Sequence, residues 1–467
     1  MPRATAVYVC AACEGMAAQW VGRCPNCGEW NSLAAVARAS AAQSAASVDP
    51  RNAAVSLSRV DQTQARPMPT GVVELDRVLG GGFVAGSATL VFGPPGVGKS
   101  TLLFQVLASV ASCGVEVLLA SAEESLAQVS GRATRIGAVP DTLLALAGGD
   151  VEEIEAAILR HLPALVVVDS IQTISDASLP GAAGSLNQVR ACVERLTRLA
   201  KASGVPIVLV GHVTKDGDLA GPRTIEHLVD TVVSFDGDRH HSLRILTAVK
   251  HRFGPAGEVG IFEMRDDGLR AVPDPGPLLL GDRMTGIPGS VVVPVLQGRR
   301  PLPVEVQALL GPGQVGSRPH ALGIDAQRVT LLLAVLGCRT NVAISGFEVF
   351  VAAVGGISIT EPAVDLAVAM AVASAALSRP IPADLVVFGE LGLAGEVRMV
   401  PGADRRLSEA LRAGFTRALV PASTPDEAVP AGMRVHKVRT LAEALAQVEK
   451  SDPAGTMPVW STVAASR

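Results

Sequence analysis

The chain has 467 residues, 48% of them hydrophobic and 18% charged, with a formal net charge of −4. That balance excludes a disordered polyampholyte and a globally basic nucleic-acid coat, so any contact with nucleic acid has to come from local basic patches. One hydrophobic core does not serve a chain this long, and two or three domains are expected.

The first residues, "MPRATAVYVCAACEG", hold no apolar stretch ahead of a small-residue cleavage site. Within them begins a pattern of C-x2-C, ten residues, then C-x2-C, formed by Cys10, Cys13, Cys24 and Cys27. Each pair can chelate one ion through a tight turn, which Pro25 and Gly28 favour in the second pair. Four thiolates close a tetrahedral structural zinc site, and a stretch too short for a core needs that metal to fold. Disulfides are the competing reading; the isolated Cys113, Cys192 and Cys338 suit a reducing, cytoplasmic compartment better. Trp20 and Trp30 either pack over the site or face a partner. A zinc module at 1–33 is followed by an Ala/Ser-rich linker at 34–60.

From 61 to 271 short runs rich in Val, Ile and Leu alternate with amphipathic segments. "ATLVFG", "VEVLLAS", "ALVVVDS", "PIVLVGH", "TVVSF" and "SLRILTAVK" read as strands of a mainly parallel sheet covered on both faces. After the first comes "GPPGVGKST": Gly93, Pro94, Pro95, Gly96, Val97, Gly98, Lys99, Ser100 and Thr101. This is the full phosphate-loop pattern, strand before and helix after. Its backbone amides cradle phosphates, Lys99 reaches the β- and γ-phosphates of ATP, and Ser100 ligates Mg²⁺. Asp169, ending "ALVVVD", is either a helix cap or the acid that holds the magnesium water shell. Glu123 and Glu124 follow another strand. They read as helix-start acids or as the source of a catalytic carboxylate. His212 ends a further strand, as a polar cap or a γ-phosphate sensor.

"KHRFG", 250–254, closes the run "SLRILTAV" with Lys250 and Arg252. A Pro- and Gly-rich joint is expected at 272–289, a second α/β domain at 290–450 and a disordered tail at 451–467. No apolar run is long enough for a membrane span. The nearest, 363–377, is too short and contains Asp365. Arg299, Arg300, Arg318, Arg328 and Arg339 read as a surface for DNA or another subunit, or as scattered solvated charges.

The order of these features resembles the RadA/Sms family of bacterial DNA-repair proteins, which are RecA-like ATPases. The match rests on the cysteine module, "TGVVELDRVLGGGFVAGS", the phosphate loop, "AEES", "VVVDS", "GHVTKDG" and "KHRFG". The family pattern at 251 is usually Asn, and His251 stands here. The resemblance implies an α/β chain with a RecA-like P-loop core, a small four-cysteine zinc module and a C-terminal Lon-protease-like (ribosomal S5 domain 2-like) α/β domain. It implies a hexameric ring that hydrolyses ATP on single-stranded and branched DNA, alongside RecA. Glu123 matches the catalytic glutamate, the segments after Asp169 and His212 match DNA-facing loops, and Lys215 and Arg223 are the cations expected near DNA phosphates. Lys250 and Arg252 match a pair that reaches a neighbour's nucleotide; the alternative is a basic strand end that binds DNA or stays solvated. In the Lon-like half, "TEPAVD" puts Ala363 where a peptidase has its serine, and Asp404 stands where it has its lysine, so the fold is expected as a scaffold rather than a protease.

Overall fold

The computed structural model describes residues 7–10, 16–17, 20–30, 32–36, 56, 66–137, 139–212, 225–237, 243–313 and 318–450. The expected linker and tail therefore lie largely outside the described residues. The chain divides into two units, residues 1–63 and 64–467.

The first unit carries a three-stranded antiparallel sheet of β1 (Val7–Cys10), β2 (Met16–Ala17) and β3 (Leu33–Val36), with β1 in the centre. β3 pairs along its length with β1, from Cys10 opposite Leu33 to Val7 opposite Val36, so the module continues beyond the boundary expected at 33. "LAAV", with two alanines at its centre, gives only a weak strand signal; backbone pairing decides it. Among the described residues only Cys10, Cys24 and Leu33 form its buried apolar cluster, too little to hold a fold without a metal.

In the second unit a short hairpin, β4 (Pro67–Met68) with β5 (Phe83–Val84), brackets helix α1 (Val73–Val78). The nine-stranded sheet that follows has the order β14-β13-β12-β11-β6-β10-β9-β7-β8. Its parallel part comprises β6 (Ala88–Gly93), β7 (Val117–Ser121), β8 (Leu143–Ala147), β9 (Val166–Asp169), β10 (Ile207–His212) and β11 (Thr231–Asp236). The antiparallel part comprises β12 (Leu243–His251), β13 (Val259–Arg265) and β14 (Gly268–Ala271). Strands such as β9 and β10 are apolar along their length because both faces are covered. Helix α2 (Lys99–Ala111) and α3 (Leu126–Ile136) cover one face; α4 (Val151–His161) and α5 (Leu186–Ser203) cover the other. α5 shows the helical period: Val189, Val193, Leu196 and Ala200 are buried, and Gly204 ends the helix at φ +78°.

The C-terminal half is a seven-stranded sheet with helices. The helix Asp365–Ala376 is buried from Asp365 through Ser374, which explains an apolar stretch that is not a membrane span. Among the described residues no helix is long and apolar enough to cross a membrane. Residues 272–289, expected as a joint, carry regular structure. They include the helix Gly276–Leu280, whose Leu279 belongs to the C-terminal core, and their glycines mark turns, at Gly286 (φ +77°) and Gly289 (φ +93°). Val259 and Ile261 of β13 enter that same core, so the two halves pack as one body.

Candidate functional site

The parallel strands deliver their C-terminal ends to one side of the sheet. β6 runs into the phosphate loop, and Gly98, at φ +112°, turns the chain into α2. The loop is pressed from behind: a Cβ at Gly98 would meet Met264 Cε at 2.7 Å and Leu269 Cδ1 at 3.0 Å. Arg244, buried on β12, donates from Nε to the Val97 carbonyl at 3.2 Å.

Lys99 is buried and folds back on its own loop, donating to the carbonyls of Gly93 (2.8 Å) and Pro94 (3.1 Å). Burial lowers its pKa to about 8, with the carboxylates of Asp169 and Glu123 acting in opposition. Its third partner is His212 Nδ1, at 3.2 Å. His212 Nε2 faces Glu123 Oε1 at 3.5 Å. Glu123, Asp169 and His212 bring one ligand atom each to within 4.8 Å of one another. Asp169 is 6% exposed and its Oδ1 is buried with no hydrogen-bond partner among the described residues. A carboxylate oxygen left so fits a magnesium ion with its water shell. Ser100 lies half-buried on the first turn of α2. Glu123 precedes the helix instead of capping it. Ser125 is the cap of α3, in a reciprocal box with Gln128, and Glu124 pairs with Arg132 at 3.1 Å.

Two residues here had no role in the sequence reading. Ser170 donates from Oγ to Glu123 Oε1 at 2.5 Å, and Gln172 donates from Nε2 to the His212 carbonyl at 3.2 Å. Ser170 follows Asp169 directly and Gln172 lies two residues further on, and that closeness to Asp169 was the available signal.

"KHRFG" sits elsewhere. β12 runs antiparallel to β11, so Thr231 opposes both His251 and Thr89, near the start of β6. The phosphate loop leaves the other end of β6, four residues on, or about 13 Å at a strand's rise. The motif is therefore at the far end of the strands, not at an outer edge of the sheet, because β13 and β14 lie beyond β12. A bulge at Val249 re-aims the segment. Lys250 Nζ donates to the carbonyls of Glu226 (2.7 Å) and Val229 (2.8 Å); Arg252 Nη1 donates to Asp230 at 2.8 Å while half of its side chain stays exposed. Burial and the neighbouring Arg252 hold the Lys250 pKa below its usual value.

In the N-terminal unit the Sγ atoms of Cys10, Cys24 and Cys27 lie within 4.8 Å of one another, and Cys10 and Cys27 are 3.6 Å apart. Sulfurs sharing one zinc ion at about 2.3 Å have this spacing. Cys13 is outside the described residues. Gly28, at φ +76°, closes the second turn. Trp20 and Trp30 are exposed, and Arg23 lies over the Trp30 ring.

Three family models match parts of the chain: an AAA domain at 56–218, a rubredoxin metal-binding domain at 8–35, and subunit ChlI of magnesium chelatase at 354–424. Curated relatives match nearly all of it. The protein named DNA repair protein RadA from Mycobacterium tuberculosis is 47% identical over 463 residues, covering 98% of this chain and 96% of the relative. Those of the same name from Bacillus subtilis and Pseudomonas aeruginosa are 42% and 43% identical, each covering 95% of this chain and 99% of the relative. The chain belongs to the RadA family of DNA-repair proteins. RadA membership accounts for the sequence of parts: zinc ribbon, P-loop ATPase core, and a C-terminal domain of the Lon and ChlI type.

The turn at 361–365, expected to match a peptidase's serine turn, is packed into the C-terminal domain. Ala363 is 1% exposed. Its neighbours are consumed in ion pairs: Glu361 with the fully buried Arg406 (2.7 and 2.5 Å), and Asp365 with Arg328 (2.5 Å at both oxygens). Asp404 lies exposed on the helix Ala403–Arg412. The expected arginine surface is only partly a surface. Arg300 is buried against Glu74, and Arg328 holds Asp365; charge alone could not reveal that both answer buried acids. Of the segments expected to face DNA, the loop after Asp169 has an exposed tip at 177–183 without a cation, and its base is pinned where Arg195 binds Asp176 (2.8 Å) and Glu155 (2.6 Å). Lys215 and Arg223 lie outside the described residues.

Proposed function

We propose that this chain is one subunit of a ring-shaped, DNA-dependent ATP hydrolase. It acts in the cytoplasm as a hexameric motor on single-stranded and branched recombination intermediates, by branch migration and unwinding, alongside RecA. One observation supports the reading: "KHRFG" and the phosphate loop lie at opposite ends of the same strands. Lys250 and Arg252 have no path to the nucleotide of their own subunit, and a second copy at the strand ends would bring them to one.

In that site the amides of Gly93–Thr101 hold the phosphates and Lys99 swings from its carbonyl partners to the β- and γ-oxygens. Ser100 and Asp169 would hold magnesium, which neutralises phosphate charge when bound. Glu123, oriented by Ser170, takes the proton of the attacking water. His212 lies between Lys99 and Glu123 and reads the γ-phosphate. Lys250 and Arg252 of the neighbour offset the charge that grows in the transition state. Lys215 and Arg223 contact DNA phosphates. The C-terminal domain acts as a scaffold without peptidase activity, because Ala363 has no hydroxyl and its flanking acids are paired.

The test mixes Lys99→Ala subunits with Lys250→Ala subunits on single-stranded DNA. Each alone is inactive; mixed rings should recover hydrolysis at interfaces that combine an intact phosphate loop with an intact "KHRFG". No recovery at any ratio, with mixed rings shown to form, removes the shared site. Turnover unchanged by single-stranded DNA removes the motor.

A further inference from the structure

Helix α1 touches both the C-terminal domain and the "KHRFG" segment. At its start, Glu74 is wholly buried, and its Oε2 accepts from the Ile261 amide at 2.9 Å and from Arg300 Nη1. Arg300 belongs to the C-terminal domain. Its other donors reach the carbonyls of Val259 (3.3 Å), Val272 (3.4 Å) and Pro273 (2.7 Å). At the end of α1, the Leu79 carbonyl is one of the terminal acceptors that a helix cannot satisfy internally. It accepts from His251 Nε2 at 3.2 Å. That bond makes Nε2 the protonated nitrogen, and Nδ1 then accepts from the Thr231 hydroxyl at 3.0 Å. Gly80 follows Leu79 at φ +65°, and a Cβ there would lie 3.5 Å from His251 Nε2. His251 stands between Lys250 and Arg252, its ring fixed at both nitrogens, while the cations on either side reach the turn at 226–230.

We propose that the C-terminal domain sets the position of Lys250 and Arg252 through α1, with Arg300 and Glu74 holding one end of the helix and His251, as a positioning residue, holding the other. The inference rests on the reading of Lys250 and Arg252 as a pair that serves a neighbour's nucleotide. The scaffold thereby acquires a specific role, since a shift of the C-terminal domain against the ATPase core moves the cation pair and changes turnover. Nucleotide affinity stays constant, because the pair acts on charge that grows only in the transition state.

The experiment uses the full-length protein and measures ATP turnover on single-stranded DNA, KM for ATP, and affinity for a fluorescent ATP analogue. His251→Ala should lower kcat about tenfold or more and leave KM and affinity within about twofold. His251→Asn, which keeps one donor and one acceptor end, should stay within about threefold of the parent. The paired variant Glu74→Leu/Arg300→Met, which removes both buried charges together, should lower kcat similarly. Adding His251→Ala to it should then cost less than about threefold more, because both lie on one path. If that pair does not fold, Arg300→Lys replaces it, with the same loss of kcat at constant KM expected. A kcat within about twofold of the parent in His251→Ala, an equal rise in KM, or fully multiplicative losses in the combined variant each overturn the inference. Lys250→Ala and Arg252→Ala are measured in parallel. If those two retain full turnover, the neighbour reading fails and takes the inference with it. If they lose turnover and His251→Ala does not, the inference fails alone.

Discussion

Lys99 and His212 face each other across 113 residues of sequence, with Nζ 3.2 Å from Nδ1. An ammonium has only donors, so Nδ1 accepts and the other ring nitrogen carries the proton toward Glu123. Lys99, His212 and Glu123, the residues proposed to bind phosphate, sense it and activate water, form one connected row.

That row gives a pH dependence. Burial brings Lys99 down to about 8 from the usual 10.5, and phosphate binding requires its charged form. Below this value the amine is protonated and affinity is flat. Above it, affinity for an ATP analogue should fall about tenfold per pH unit, with a proton taken up on binding. Calorimetry in two buffers of different ionisation enthalpy, between about pH 7 and about pH 9.5, checks the sign. Asp169 and Glu123 oppose the shift, so Glu123→Gln should move the break to lower pH.

Lys99→Ala and Glu123→Gln should separate binding from chemistry. The first loses nucleotide affinity as well as turnover. The second keeps an oxygen for Ser170 to bond, so it should bind ATP within about twofold and lose about 10²-fold or more in kcat. Ser170→Ala should show a smaller loss, about tenfold, in kcat alone. Titration of Glu123→Gln showing no ATP affinity would contradict the assigned role.

Cys24→Ser should abolish zinc retention. Three sulfurs already share one ion's spacing, and among the described residues the module buries only the small apolar cluster of Cys10, Cys24 and Leu33. Elemental analysis should give one zinc per parent chain and none in the variant, while nucleotide binding in residues 64–467 persists.

Arg328→Ala should be among the most destabilising changes in the C-terminal domain. It leaves Asp365 wholly buried, and burial already pushes that carboxyl's pKa up against the pull of Arg328. The Leu391 amide, at 3.1 Å, would still donate to it, but a neutral amide does not replace the lost cation. A loss of about 3 kcal/mol in urea unfolding is expected, and Arg328→Met with Asp365→Leu should recover most of it.

The sequence by itself determined what depends on adjacent residues. The phosphate loop is nine consecutive positions between a strand and a helix, and the cysteine pairs carry their turns with them; the alternation of apolar runs and amphipathic segments dictated a mainly parallel sheet. Even the absence of a serine at 363 needed no coordinates. Tertiary structure decided whatever joins distant residues. The strand order sets β6 beside β10 and β9 beside β7, which brings His212 to Lys99 and Ser170 to Glu123. The antiparallel turn into β12 sends "KHRFG" to the opposite strand ends from the phosphate loop. Arg300 and Arg328 looked like surface charges, but Arg300 is buried against Glu74 and the half-buried Arg328 is held by the buried Asp365, both acids far away in sequence. Local patterns encode local geometry, but a buried charge is tolerated only where a partner meets it, and only the completed fold says which partner that is.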